Sequence, residues 1–177
     1  AAQKKEIVVA ATEGDSTDFK ATIFLGYKET HARATVEEVV VADKDTFLVF
    51  DRTPFYAEMG GQAGDQGSAL VNGQLIHIVD TVKDKSGRFL HKVGPAADGS
   101  SVSITFQKGA AAELAVDLVR RRAISRHHSA AHLIHWALRK VLGTHVRQAG
   151  TSKTPDRMRF DFSHFEPVSA GQIRQIE

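Results

Sequence analysis

No cysteine occurs in these 177 residues, so the chain carries no disulfide and can build no thiolate metal site from its own sequence. Nor does any apolar run approach the roughly 18 residues of a helical membrane span, and no charged-then-apolar leader opens the sequence. A cytoplasmic location without a membrane partner is expected. Internal repeats and low-complexity segments are lacking too, which sets aside solenoids and disordered arrays. The length suffices for one medium domain or two small ones with a core of their own. The first residue is Ala1, and Ser169-Ala170-Gly171-Gln172 has capping-box form leading into Ile173 and Ile176. Both ends are therefore expected to be cuts from a longer protein, which leaves the redox compartment open.

Acidic side chains are scarce in one window. Between Arg120 and Arg159 ten Lys or Arg face Asp156 alone, whereas the first 119 residues hold 12 basic and 17 acidic side chains, all within a net charge of +2. The halves differ in sign, which points to a polyanion near the second; a solvated basic face is the alternative.

What is present divides the same way. Up to about Phe106 short β-rich runs, among them residues 21–25, 36–41 and 46–50, alternate with turn chemistry, as in a small antiparallel barrel. Asn72-Gly73, between residues 69–71 and 74–79, is the clearest hairpin signal. A second hairpin is expected to turn at residues 84–87, Gly94-Pro95 and Asp98-Gly99 punctuate the next connection, and residues 101–106 alternate as a strand. Residues 110–117 are ambiguous, since alanines favour helix while Leu114, Val116 and Leu118 alternate. From about Val119 the period moves toward 3.6, giving an apolar stripe through Ile124, Leu133, Ile134, Trp136, Leu138, Val141 and Leu142 that Gly143 closes. Met158, Phe160 and Phe162 then alternate as a half-buried strand before the capped terminal helix. The expected class is α+β: a barrel subdomain over 1–118, then an α+β unit over 119–177 that is incomplete at its C-terminus.

Six of the nine histidines fall between His127 and His164. His128 and His132, four residues apart, lie on one helical face and can grip one zinc ion from the same side, and zinc lowers the pKa of bound water. Two ordinary helical histidines are the alternative. No Glu follows His128, so the zincin pattern with its general base is absent. His135 shares the face and suits support of a metal ligand or core packing, while His127 is turned about 100° away and is expected at the surface. The other distinctive stretch is residues 53–67, with four glycines in its last eight positions. Glycines let backbone N–H groups approach a ligand, and Gln62 can position a water, a carbonyl or a ribose hydroxyl but cannot act as a base. A barrel turn that requires small residues is the bland alternative.

Thr53-Pro54-Phe55-Tyr56-Ala57-Glu58 with Gly60-Gly61-Gln62-Ala63-Gly64-Asp65, then His128-Ser129-Ala130-Ala131-His132-Leu133-Ile134-His135, then Leu142-Gly143-Thr144-His145-Val146, Gly150 and Arg159-Phe160-Asp161-Phe162-Ser163-His164, closely resemble the alanyl-tRNA synthetase editing domain. The blocks follow in order over most of the chain from about Phe24 onward. The resemblance implies a small β-barrel followed by the α+β editing core shared with threonyl-tRNA synthetase. It further implies hydrolysis of serine, and also glycine, from the tRNA for alanine. It assigns His128 and His132 as two zinc ligands, places the other two in a Cys-xxx-His beyond Glu177, and makes Gln62 a catalytic-pocket residue. Weak or no metal binding by this chain follows from a half-supplied site. ATP would be used only by the ligase domain of the parent. Arg121, Arg122, Arg126, Arg147 and Lys153 would face the acceptor end of the tRNA, with no DNA partner implied. Met59 stands where a small Ser is expected, and Ala131 where Thr is usual.

Two readings compete. Gly60-Gly61-Gln62 is the tripeptide of release factors, but here it is flanked by Glu58 and Asp65 rather than by basic residues. A non-catalytic tRNA acceptor-stem binding module would use the basic window and leave the His pair structural.

Overall fold

The computed structural model describes residues 20–95, 104 and 106–177. Among them no helix is long and apolar enough to cross a membrane. The described residues form two compact units, one holding residues 20–59 and 64–118, the other holding residues 119–177 together with the short segment 60–63.

The first unit is a closed antiparallel barrel. Its strands are β2 (His31–Ala42), β3 (Asp45–Phe50), β5 (Gly67–Val71), β6 (Gln74–Lys83), β7 (Phe89–Val93) and β8 (Ala111–Val116), in the order β2-β3-β7-β6-β5-β8. Two short strands, β1 (Ile23–Phe24) and β4 (Arg52–Thr53), pair in parallel beside it. Alternation selects the interior: Ala34 and Val36, Ala69 and Val71, Ile76 and Ile78, and Ala112, Leu114 and Val116 form one buried cluster with Leu48, Phe50 and Phe55. Leu70 and Leu75, on the opposite phase, remain exposed. Asn72 and Gly73 both take positive φ, 48° and 82°, as a two-residue turn of this kind requires. Asp84 organises the second hairpin by accepting the Ser86 and Arg88 amides on one oxygen and the Arg88 guanidinium on the other.

The ambiguous segment 110–117 is a strand. β8 pairs with both β2 and β5 and so closes the barrel, and those two ladders outweigh the helical preference of its alanines. The strand expected at 101–106 and the Asp98-Gly99 turn fall mostly outside the described residues; Ile104 and Phe106 pack against the barrel core.

The second unit is built on α1 (Leu118–Leu142), 25 residues long. Gly143, at φ 113°, ends it, and its amide donates to the Arg139 carbonyl. β9 (Arg147–Lys153) and β10 (Met158–Ser163) form an antiparallel pair. Leu138, Leu142 and Val146 make a core with Phe160, Phe162, Val168 and Ile176. α2 (Ala170–Ile176) carries the capping box at its start, Ser169 Oγ accepting the Gln172 amide and the Gln172 side chain accepting the Ser169 amide. β9 is unforeseen, because Arg147-Gln148-Ala149-Gly150-Thr151-Ser152-Lys153 has no apolar alternation and only its last residue is buried.

Candidate functional site

Gln62, His128 and His132, singled out by the sequence, fall together in the second unit. His128 and His132 sit on α1 with ring centroids 5.1 Å apart and ring planes tilted by 40°. The segment 60–63 reaches them because it is stitched to the end of β9. The Lys153 amide donates to the Gly61 carbonyl at 2.7 Å, and the Ala63 amide donates back to the Lys153 carbonyl at 3.1 Å. Gly60 and Gly61 lie at φ 61° and 74°, and a Cβ on Gly61 would stand 2.2 Å from the Thr151 carbonyl oxygen. Only glycine fits that crossing.

Gln62 is buried, and its Oε1 lies 2.8 Å from His128 Nδ1. A carbonyl oxygen can only accept, so Nδ1 carries the proton and the lone pair of the imidazole is on Nε2. Burial first, then the Lys153 ammonium and the His132 imidazole, hold the His128 pKa below the ordinary value. The neutral ring, the form that ligates metal, is thereby favoured.

Lys153, counted by its charge among the tRNA-facing residues, is only 6% exposed, and its Nζ donates to the Gly60 carbonyl at 3.1 Å. Burial lowers its pKa. It belongs to the Gln62 and His128 cluster. Sequence alone gave no sign of this, because a lysine closing a polar stretch reads as a surface residue. Arg122, Arg126 and Arg147 are exposed, and Arg121 is half-buried. His127, expected at the surface, is half-buried, with Nδ1 donating to the Thr154 carbonyl at 2.7 Å. His135 packs its ring 5.5 Å from Phe160, and its buried Nε2 has no partner among the described residues. Ala131 is buried and Met59 largely exposed.

Within the barrel unit, the stem of the glycine-rich stretch is pinned separately. Asp65, almost fully buried, accepts the Tyr56 amide on its carboxylate at 2.7 Å and the Thr81 hydroxyl on its backbone carbonyl at 3.0 Å. Thr53 and Phe55 are buried completely.

The imidazoles of His128 and His132 suit a zinc ion in element and in shared face. Among the described residues no group of three or more His, Cys, Asp or Glu converges to hold a metal. A tetrahedral zinc ion would take two ligands beyond this pair.

The family model of tRNA synthetases class II (A) matches residues 1–119. An alanine–tRNA ligase of Opitutus terrae is 61% identical over the whole of this chain and 19% of its own length. The alanine–tRNA ligase of Methylacidiphilum infernorum is 43% identical over the whole chain and 18% of its own length. That of Chlorobaculum tepidum is 43% identical over 88% of the chain and 18% of its own length. The chain thus spans under a fifth of the length of these relatives. With the family model matched over 119 of its 177 residues, the chain belongs to the tRNA synthetases of class II (A).

Proposed function

We propose that this chain is an editing region that hydrolyses the ester joining serine or glycine to the tRNA for alanine. The observation that supports it best is the 2.8 Å contact between Gln62 and His128, which joins two motifs 66 residues apart in one cluster. Neither motif alone carries that weight. The similarity to alanine–tRNA ligases along the whole chain agrees with it.

The residues divide the work. Gln62 fixes the tautomer of His128 through Oε1, and its amide N–H groups are donors for a substrate carbonyl, a ribose hydroxyl or a water. His128 and His132 would hold zinc together with the Cys-xxx-His that the resemblance assigns beyond Glu177, and zinc there supplies Lewis-acid polarisation. Lys153 and the paired strand end keep the 60–63 segment in place. Exposed Arg122, Arg126 and Arg147 offer phosphate contacts, which supply most nucleic-acid affinity. A second, hydrolytic site has a physical reason, since an apolar activation pocket rejects an added hydroxyl by only about 100-fold. A pocket that hydrogen-bonds the serine hydroxyl would leave polar groups unpaired with alanine.

Deacylation of seryl- and alanyl-tRNA for alanine, by the chain extended through the Cys-xxx-His, tests this. Selective release of serine, cut by at least about 100-fold in His128→Ala and about 10- to 100-fold in Gln62→Ala, is expected. The competing reading, a tRNA acceptor-stem binding module, draws on the exposed arginines of α1 and β9. Survival of both esters with tRNA still bound would favour it.

A further inference from the structure

At the far end of β9 from Lys153 stands a second cluster that takes no part in the Gln62 and His128 site. Arg147 begins the strand and Lys153 ends it, a separation of about 20 Å at 3.3 Å per residue. There His145 Nε2 and His164 Nδ1 are 2.9 Å apart, with ring centroids at 5.1 Å and planes 19° from parallel. The Phe165 ring packs against both, 4.6 Å from His145 and 4.7 Å from His164. Yet Phe165 is 77% exposed.

A phenyl ring held by two neighbouring rings while its remaining surface faces water is pre-organised, so a flat ligand landing on it loses little side-chain entropy. The charge beside it selects the ligand. Arg147 is paired across to Ser163, whose Oγ accepts the Arg147 amide at 3.3 Å, and its side chain is exposed. Arg139 is exposed too, and its Nη1 donates to the Val146 carbonyl at 3.3 Å, beside His145. Glu166 is the one carboxylate adjoining Phe165 in sequence. An aromatic platform in a unit that also presents exposed Arg139, bonded at Val146, and exposed Arg147, paired with Ser163, matches an unpaired base and its phosphates, because bases stack on aromatic faces without sequence preference while arginines take the backbone. A duplex keeps its bases stacked inside and offers only the phosphate half of this match.

We propose that Phe165, backed by His145 and His164, is a stacking platform for one unpaired RNA base, with Arg139 and Arg147 taking the adjacent phosphates. This rests on the reading that RNA is the polyanion bound by the basic window.

The test is fluorescence anisotropy with the 177-residue chain and three labelled probes: tRNA for alanine with its unpaired 3′ end, the same tRNA with that end trimmed, and a short unstructured single-stranded RNA. Phe165→Ala is expected to weaken the intact tRNA and the single strand by about 5- to 100-fold while sparing the trimmed tRNA. Phe165→Trp should retain affinity, and Arg147→Ala should lower the slope of log affinity against log salt by about 1. Because Phe165 is exposed, thermal melts of its variants should match the parent. Loss for the single strand but not for the intact tRNA would place the base elsewhere than the acceptor end and keep the platform. RNA binding by Phe165→Ala within about twofold of the parent on every probe overturns the platform and leaves the RNA reading standing. A change in self-association on sedimentation, without a change in RNA affinity, overturns it in favour of a second copy as occupant. Failure of the unmodified chain to bind any probe overturns both.

Discussion

His91 shows how far one residue can carry a barrel. It is fully buried, Nδ1 donates to the Leu48 carbonyl at 2.9 Å, and Nε2 accepts the Thr53 hydroxyl at 2.7 Å. Thr53 Oγ1 in turn accepts the Phe55 amide at 3.1 Å. Both ring nitrogens of His91 are satisfied with the ring neutral, and burial pushes the His91 pKa down to about 4. A depressed folded-state value means that, between about 6.5 and 4, the unfolded chain binds a proton the folded one refuses. The contribution of His91 is therefore complete above about pH 6.5 and drains away as pH falls toward 4, roughly 3 kcal/mol in all. Urea midpoints at pH 7 and pH 4.5 would register it, and an unchanged midpoint would reject it. At the same scale Lys153→Met keeps the bulk of the side chain but removes a positive neighbour of His128. The imidazole pKa of His128 should rise, as read by NMR titration, and amide exchange at residues 60–63 should quicken as the Gly60 carbonyl loses its donor.

Among the elements, β9 and the 60–63 segment depend on each other. β9 exists because β10 pairs with it along one edge and Gly61 and Ala63 hydrogen-bond to its last residue. Gly61→Ala should break that stitch, since the new methyl meets the Thr151 backbone and the φ of 74° is strained for any L side chain. The expected cost is about 1–3 kcal/mol by chemical denaturation, with loss of the Gln62 contact. α2 rests on its cap, being seven residues long with none buried. Ser169→Ala should cost about 1 kcal/mol of helix stability, visible as faster amide exchange at residues 172–176.

For the whole molecule, the two units carry different chemistry: the barrel is built round an apolar cluster, and the helical unit carries six of the nine histidines and the whole basic window. Two imidazoles are half of what zinc takes, so the chain as it stands is expected to purify without stoichiometric zinc and the extended one with it. Metal analysis of both decides the point; one tightly held zinc per chain in the shorter form would contradict it.

The local elements were legible because their signals are local. Asn72-Gly73 forces a turn by its φ preferences, the period of two sorts Ile76 and Ile78 from Leu75, and Ser169 with Gln172 writes a capping box. His128 and His132 share a face by helical geometry alone. Tertiary structure decided what periodicity cannot encode. The alanine-rich β8 became a strand because two ladders were waiting for its backbone, and the polar β9 because β10 and the 60–63 segment satisfied its amides. Lys153 looked like a phosphate contact by charge but is buried on a carbonyl, and Gln62 meets His128 only through the fold. Sequence determined which residues could do chemistry, since that is fixed by side-chain type and near-neighbour spacing. Their meeting was left to long-range backbone hydrogen bonds, which depend on what the rest of the chain brings within reach.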